Sequence, residues 1–144
     1  MLFDVTTAMA SHFEDITTGL AGNIVLILPY PPSCNHIWKR AGNKMILDAR
    51  AAAFRQKVFV LVSALRKRHF IPSEPFLCKV AVMVEYNQPD RRRRDLDNGN
   101  KSLLDALTYA GIWKDDSQVV LMLTYFGKPS RGGECWVTVQ PLEA

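Results

Sequence analysis

The stretch FLCKVAVMVEYNQPDRRRRDLDN, residues 76–98, joins an apolar half to a charged half. Its first part, to Tyr86, is β-branched and aromatic and has the length of a strand. Pro89 and the charges after it cannot continue a buried strand. From about Asn98 the period changes: Leu103, Leu104, Leu107 and Ala110 make a helical stripe, and Gly111 stands where a stop belongs. Residues 114–118 read as a polar turn, and 119–126 as a further strand.

Outward from this centre the same reading applies. Residues 23–30 (NIVLILPY) form a short apolar run stopped by Pro31-Pro32. Residues 33–44 are polar, basic and aromatic, which predicts a surface loop. Asp48 is an N-cap for a helix to about His69, with Phe54, Val58, Leu61, Val62 and Leu65 on one face. Residues 134–142 form a last strand, and the Gly/Pro-rich 127–133 predicts a hairpin between it and the strand before. The expectation is one α+β domain over residues 23–144, a mixed sheet with two main helices in the order β-α-β-α-β-β. Residues 1–22 show no sustained period and read as a poorly ordered extension.

Charge is uneven along the chain. Residues 1–22 hold Asp4, Glu14 and Asp15 and no Lys or Arg, leaving 18 basic against 11 acidic side chains in the remainder. So basic a body suits a polyanion such as nucleic acid. Cys34, Cys78 and Cys135 lie far apart, as do the three histidines, which excludes a CxxC zinc site and argues for reduced, buried thiols. Residues 1–22 lack the basic start and apolar stretch of a secretory signal, and no apolar run reaches membrane-spanning length. The expectation is a soluble cytoplasmic protein with no membrane association and no organic cofactor.

The charged half carries the chemistry. Arg91, Arg92, Arg93 and Arg94 suit phosphate, and Asp95 and Asp97 offer the oxygen ligands that Mg²⁺ prefers. On an extended segment, residues two apart point to one side. A third carboxylate could come from Asp115-Asp116, returned by the intervening helix to the same end of the sheet. Lys101, on the first turn of that helix, would orient water or steady phosphate charge. A bound metal lowers the pKa of its water and neutralises developing charge.

Plainer readings compete with each part. An Arg run is usually a solvated face, and these arginines could merely neutralise Asp90, Asp95 and Asp97. Asp115-Asp116 could be only a turn, or Asp116 a cap, and Asp105 pairs naturally with Lys101 at four residues' distance. It is their coincidence across one helix that favours a metal site. His36, Trp38, Lys39, Arg40 and Lys44 add a basic, aromatic surface usable for a DNA backbone. Met83, Met122, Trp113 and Trp136 read as core.

Taken together, these residues resemble the RusA-type Holliday-junction resolvases, small endonucleases of bacteria and their phages. The matching pieces are LPYPPSCN at 28–35, PDRRRRDLDN at 89–98, Lys101, LDALT at 104–108, AGIWKDDSQV at 110–119, and Gly132-Gly133 before the last strand. The resemblance implies a homodimer that recognises four-way DNA junctions. It further implies paired hydrolytic nicks in recombination and repair, with Mg²⁺ as cofactor and Mn²⁺ as a substitute. It carries the catalytic carboxylates onto Asp95, Asp97 and Asp116, the catalytic lysine onto Lys101, and DNA contacts onto the arginines. Lys39 and Arg40 remain candidate DNA contacts. Gly99 and Asn100 stand where the family usually has an apolar residue, and glycine weakens a first helical turn. Two other readings are a nuclease of flaps or duplexes, and a DNA-binding dimer without activity.

Overall fold

The computed structural model describes residues 22–34 and 38–142. The expectations for residues 1–21 and for His36 lie outside the described residues. The elements are β1 Ile24–Pro29, β2 Trp38–Ala41, β3 Lys44–Leu47, α1 Ala49–Lys67, β4 Val80–Asn87, α2 Asn100–Tyr109, a 3-10 turn Asp116–Gln118, β5 Val119–Phe126 and β6 Glu134–Pro141. They form a mixed sheet with two helices, as the α+β reading expects.

The main sheet has the order β1-β6-β4-β5. β4 pairs in parallel with β5 and antiparallel with β6, and β6 pairs antiparallel with β1. The expected hairpin between 119–126 and 134–142 is therefore wrong: β4 lies between those two strands. Residues 127–133 instead cross the end of β4, where the Gly127 amide donates to the Tyr86 carbonyl at 3.0 Å and the Ser130 amide to that of Gln88 at 2.8 Å. Gly132 and Gly133 take φ values of 81° and 71°, and a side chain on Gly133 would meet Tyr30 Cβ at 2.9 Å. The glycines serve a close crossing rather than a hairpin tip.

One core lies between the sheet and the helices. Alternate residues of the strands (Leu26 and Leu28, Val82 and Val84, Val137 and Val139) meet Phe54, Val58 and Val62 of α1 and Leu103 and Leu107 of α2. Each such buried side chain contributes roughly 1.5–3 kcal/mol. Leu61 falls off this face and is exposed. Asp48 caps α1 as predicted, accepting from the Arg50 amide at 3.0 Å.

Three further expectations change. Residues 38–47 are a two-stranded hairpin, not a loop. With almost every side chain exposed, that hairpin has no buried face and hence no alternation to read. Residues 76–79 lie outside the strand, joined to the rest by a bridge between Phe76 and Trp113. Trp113 is core, but Trp136 faces outward on β6, 42% exposed. Of the cysteines, all unpaired, only Cys135 is buried, and burial pushes its thiol up to about 12. Among the described residues no helix is long and apolar enough to cross a membrane.

Candidate active site

The site begins where β4 leaves the sheet. Asp90 turns the chain by accepting from the Arg92 amide at 2.9 Å and grips the Arg94 guanidinium with both oxygens, at 2.6 and 3.2 Å. Arg94, followed by the Arg92 amide, holds the Asp90 carboxyl down at about 2. Arg94 also lies 6.0 Å from the centre of the Tyr30 ring. It is half-buried and tied to the loop, whereas Arg91, Arg92 and Arg93 are exposed.

Asp95 and Asp97 follow in a turn, not in an extended segment. The Asn98 amide donates to the Asp95 carbonyl at 3.2 Å and the Asn100 amide to that of Asp97 at 3.1 Å. A shared direction for the two carboxylates thus does not follow from strand alternation. Both side chains are exposed and make no ion pair among the described residues.

The Pro31-Pro32 segment buttresses this turn. The Cys34 amide donates to the Asn98 carbonyl at 2.7 Å, and Pro31 packs on Gly99 so closely that an added Cβ would stand 2.6 Å from Pro31 Cγ. Gly99 is buried, with φ −94°. Glycine is therefore required here by proximity, which the expectation of a merely weakened helix start did not foresee. Buried Tyr86, at the end of β4, ties down Asn100 through its hydroxyl.

Beyond α2 the chain is built as a rigid return. Gly111 adopts φ 76°, and the carbonyls of Ala110 and Gly111 both accept from Arg66 of α1. Trp113 is fully buried and donates from its indole nitrogen to Thr108 Oγ1 at 2.7 Å. Asp115 caps the 3-10 turn, bonding the amide and hydroxyl of Ser117, and those bonds lower its pKa. Gln118 spends its whole amide: it accepts from the amides of Lys114 and Asp115 and donates to the carbonyls of Phe76 and Cys78.

These bonds divide the acidic dipeptide. Asp115 is consumed as a cap, which leaves Asp116 to face α2, where the Lys101 ammonium lies 3.4 Å from its Oδ2. The same ammonium lies 2.8 Å from Asp105 Oδ1. Asp105 first, with Asp116 adding to it, raises the Lys101 pKa, so the group stays a cation near neutrality. Lys101 and Asp116 are thus brought together across 15 residues of sequence. Among the described residues no three acidic, His or Cys side chains stand close enough to hold a metal ion. The oxygen donors Asp95, Asp97 and Asp116 nonetheless have the chemistry Mg²⁺ prefers, and two of them are free of cations.

Lys101 and Asp116 also line an open cleft of about 490 Å³ that runs along α2 to β2. Asp105, Arg55 and Tyr109 line it too, and sequence reasoning placed none of the three in the site. The Lys101–Asp105 spacing was the only available signal. Lys39, proposed for DNA, is paired with Asp48 at 2.9 Å, while Arg40 is exposed and among the described residues bonds only the Gly42 carbonyl.

Comparison with known proteins gives a consistent answer. The family model described as Endodeoxyribonuclease RusA matches residues 29–140. A crossover junction endodeoxyribonuclease of Enterobacteria phage HK97 is 34% identical over 118 residues, covering 82% of this chain and 94% of its own. The RusA protein of Escherichia coli K12 is 33% identical over 114 residues, 79% of this chain and 91% of its own. The corresponding protein of Enterobacteria phage 82 is 35% identical over 116 residues.

Proposed function

The chain belongs to the RusA endodeoxyribonuclease family, and on that footing we propose that it resolves four-way DNA junctions by paired, Mg²⁺-dependent hydrolytic nicks in recombination and repair. The single observation that carries this reading is the meeting of Asp116 with Lys101, on the helix that directly follows the exposed Asp95–Asp97 turn and its arginines. Asp95, Asp97 and Asp116 would hold the ion, Mg²⁺ or in its place Mn²⁺. When bound, it supplies Lewis acidity and a more acidic water.

The chain's own residues do the rest. Lys101 is a permanent cation held at one edge of the site by Asp105, and it neutralises charge gathering on the phosphate as water adds and one P–O ester bond breaks. Exposed Arg91, Arg92 and Arg93 hold the flanking backbone, with Arg94 fixing the loop they stand on and adding its own charge. Lys39 and Arg40 of the hairpin extend that surface. Such contacts make binding steeply salt-dependent.

Two opposed cuts call for two sites, hence a homodimer. The outer face of the sheet offers an apolar surface for a second copy: Val25 and Ile27 of β1 stand 56% and 52% exposed, with Trp136 paired directly to Ile27.

The test is incubation of purified protein with a synthetic four-way junction, with Mg²⁺ or with EDTA. Paired nicks are expected only with the metal, and Asp97→Asn should bind the junction without cutting. Equal cutting by that variant would overturn the site.

A further inference from the structure

The cleft extends beyond Lys101, along α2 to the hairpin. Its walls set two rings and a guanidinium beside the aliphatic side chains of Leu47, Ala51 and Ala106. Trp38 of the hairpin is 55% exposed and Tyr109, at the end of α2, is 49% exposed. The Arg55 guanidinium lies over the Tyr109 ring at 4.2 Å from its centre, with Phe59 packed against the ring at 5.6 Å. Arg55 makes no ion pair among the described residues, so an aromatic platform rather than an acid holds this cation in place. Ser102 also lines the cleft and is buried, and its hydroxyl has no hydrogen-bond partner among the described residues.

A purely electrostatic backbone groove needs none of this. Flat exposed rings and a stacked guanidinium are what an unstacked nucleobase uses, with π-faces for stacking and free donors for its edge. The cleft is continuous with Lys101 and Asp116, so its occupant must be covalently near the phosphate they address.

We propose that this cleft receives one unstacked base of the strand being cut, from a nucleotide adjoining the scissile phosphate, held between Trp38 and the Arg55–Tyr109 pair. The inference rests on the nuclease reading above and adds to it a base-binding subsite. Paying to unstack that base selects substrates whose stacking is already broken, as at a branch point. The subsite also makes cutting depend on base identity through Arg55, while junction affinity stays with the arginine loop.

The experiment is a cycle between protein and DNA. Single-turnover cleavage is measured on junctions intact or carrying an abasic residue at either nucleotide flanking the cut, with the unmodified protein, Trp38→Ala and Tyr109→Ala. Either substitution alone, and the abasic lesion alone at one flank, should each slow cutting about tenfold. Combined, they should slow it little further, because the lesion and the variant remove the same contact. Junction affinity should change less than about twofold, and Trp38→Phe should restore most of the rate. Both rings are half exposed, so thermal melting should match the unmodified protein. Multiplying losses at both flanks would overturn the subsite while leaving the nuclease intact. Absence of cutting by the unmodified protein on every junction would remove the function itself, and the subsite with it.

Discussion

The Tyr86 hydroxyl donates to the Asn100 side-chain oxygen at 2.6 Å, joining the buried end of the central strand to the first residue of the helix that carries Lys101. Tyr86 is 1% exposed, and its ring packs edge-on against Tyr30 at 5.8 Å. A core residue thereby sets where the helix of Lys101 starts.

Tyr86→Phe should keep the packing and lose only that bond. The expected cost is about 1 kcal/mol in urea unfolding, with cleavage slowed several-fold and junction affinity unchanged. Unchanged cleavage at lowered stability would mean that the bond serves the fold alone.

Gly99→Ala should be destabilising although φ at that position is ordinary, because its Cβ would stand 2.6 Å from Pro31 Cγ. Overpacking of this kind costs typically 1–3 kcal/mol. Pairing it with Pro31→Ala removes the clashing atom, so the double variant should be more stable than the sum of the two losses. Simple additivity in chemical denaturation would count against the contact.

Asp115 and Asp116 should separate cleanly. Asp115→Ala should lower the melting temperature and leave much of the cleavage rate. Asp116→Asn should keep the melting temperature and reduce cleavage on the order of a hundredfold or more. The reverse pattern in melting and cleavage assays would exchange their assigned roles.

Acid should weaken the arginine loop in a defined window. Arg94, then the Arg92 amide, holds Asp90 at about 2 against an ordinary 3.8, and Lys39, then the Arg50 amide, does the same for Asp48. A carboxyl depressed in the folded state binds fewer protons than it does unfolded. Its stabilisation is thus fully present above about pH 4 and lost as pH falls through about 2. Urea midpoints should therefore show a shallower acid-side slope for Asp90→Asn than for the unmodified protein, the two converging near pH 2. Parallel slopes would mean the ion pair is not formed in solution.

Trp136→Arg should convert a dimer to a monomer in light scattering after size exclusion, with little change in melting temperature, since the ring lies outside the core. A dimer persisting in that variant would place the pairing surface elsewhere.

Most elements were legible from local pattern. The β-branched runs read at 76–86 (strand over 80–87) and 119–126, the cap at Asp48 and the stop at Gly111 each follow from a backbone preference that acts within a few residues. The hairpin at 38–47 was not legible, because neither of its faces is buried and no period is written into it. The candidate site was half legible. Carboxylates and cations advertise themselves by type, and the i, i+4 spacing already tied Asp105 to Lys101.

Strand order and the meeting of Asp116 with Lys101 came from long-range packing, although the resemblance had already implied Asp116 rather than Asp115 for the site. Nothing local to residues 127–133 tells a hairpin from a crossing; what decides is that β4 already occupies the place beside β5, leaving its other edge for β6. Likewise, two adjacent aspartates are chemically equal until Ser117 and Gln118 engage one as a cap and Lys101 meets the other. Residue type sets which contacts are possible over a few residues, but partners far apart in the chain are chosen by which surfaces the whole fold brings together.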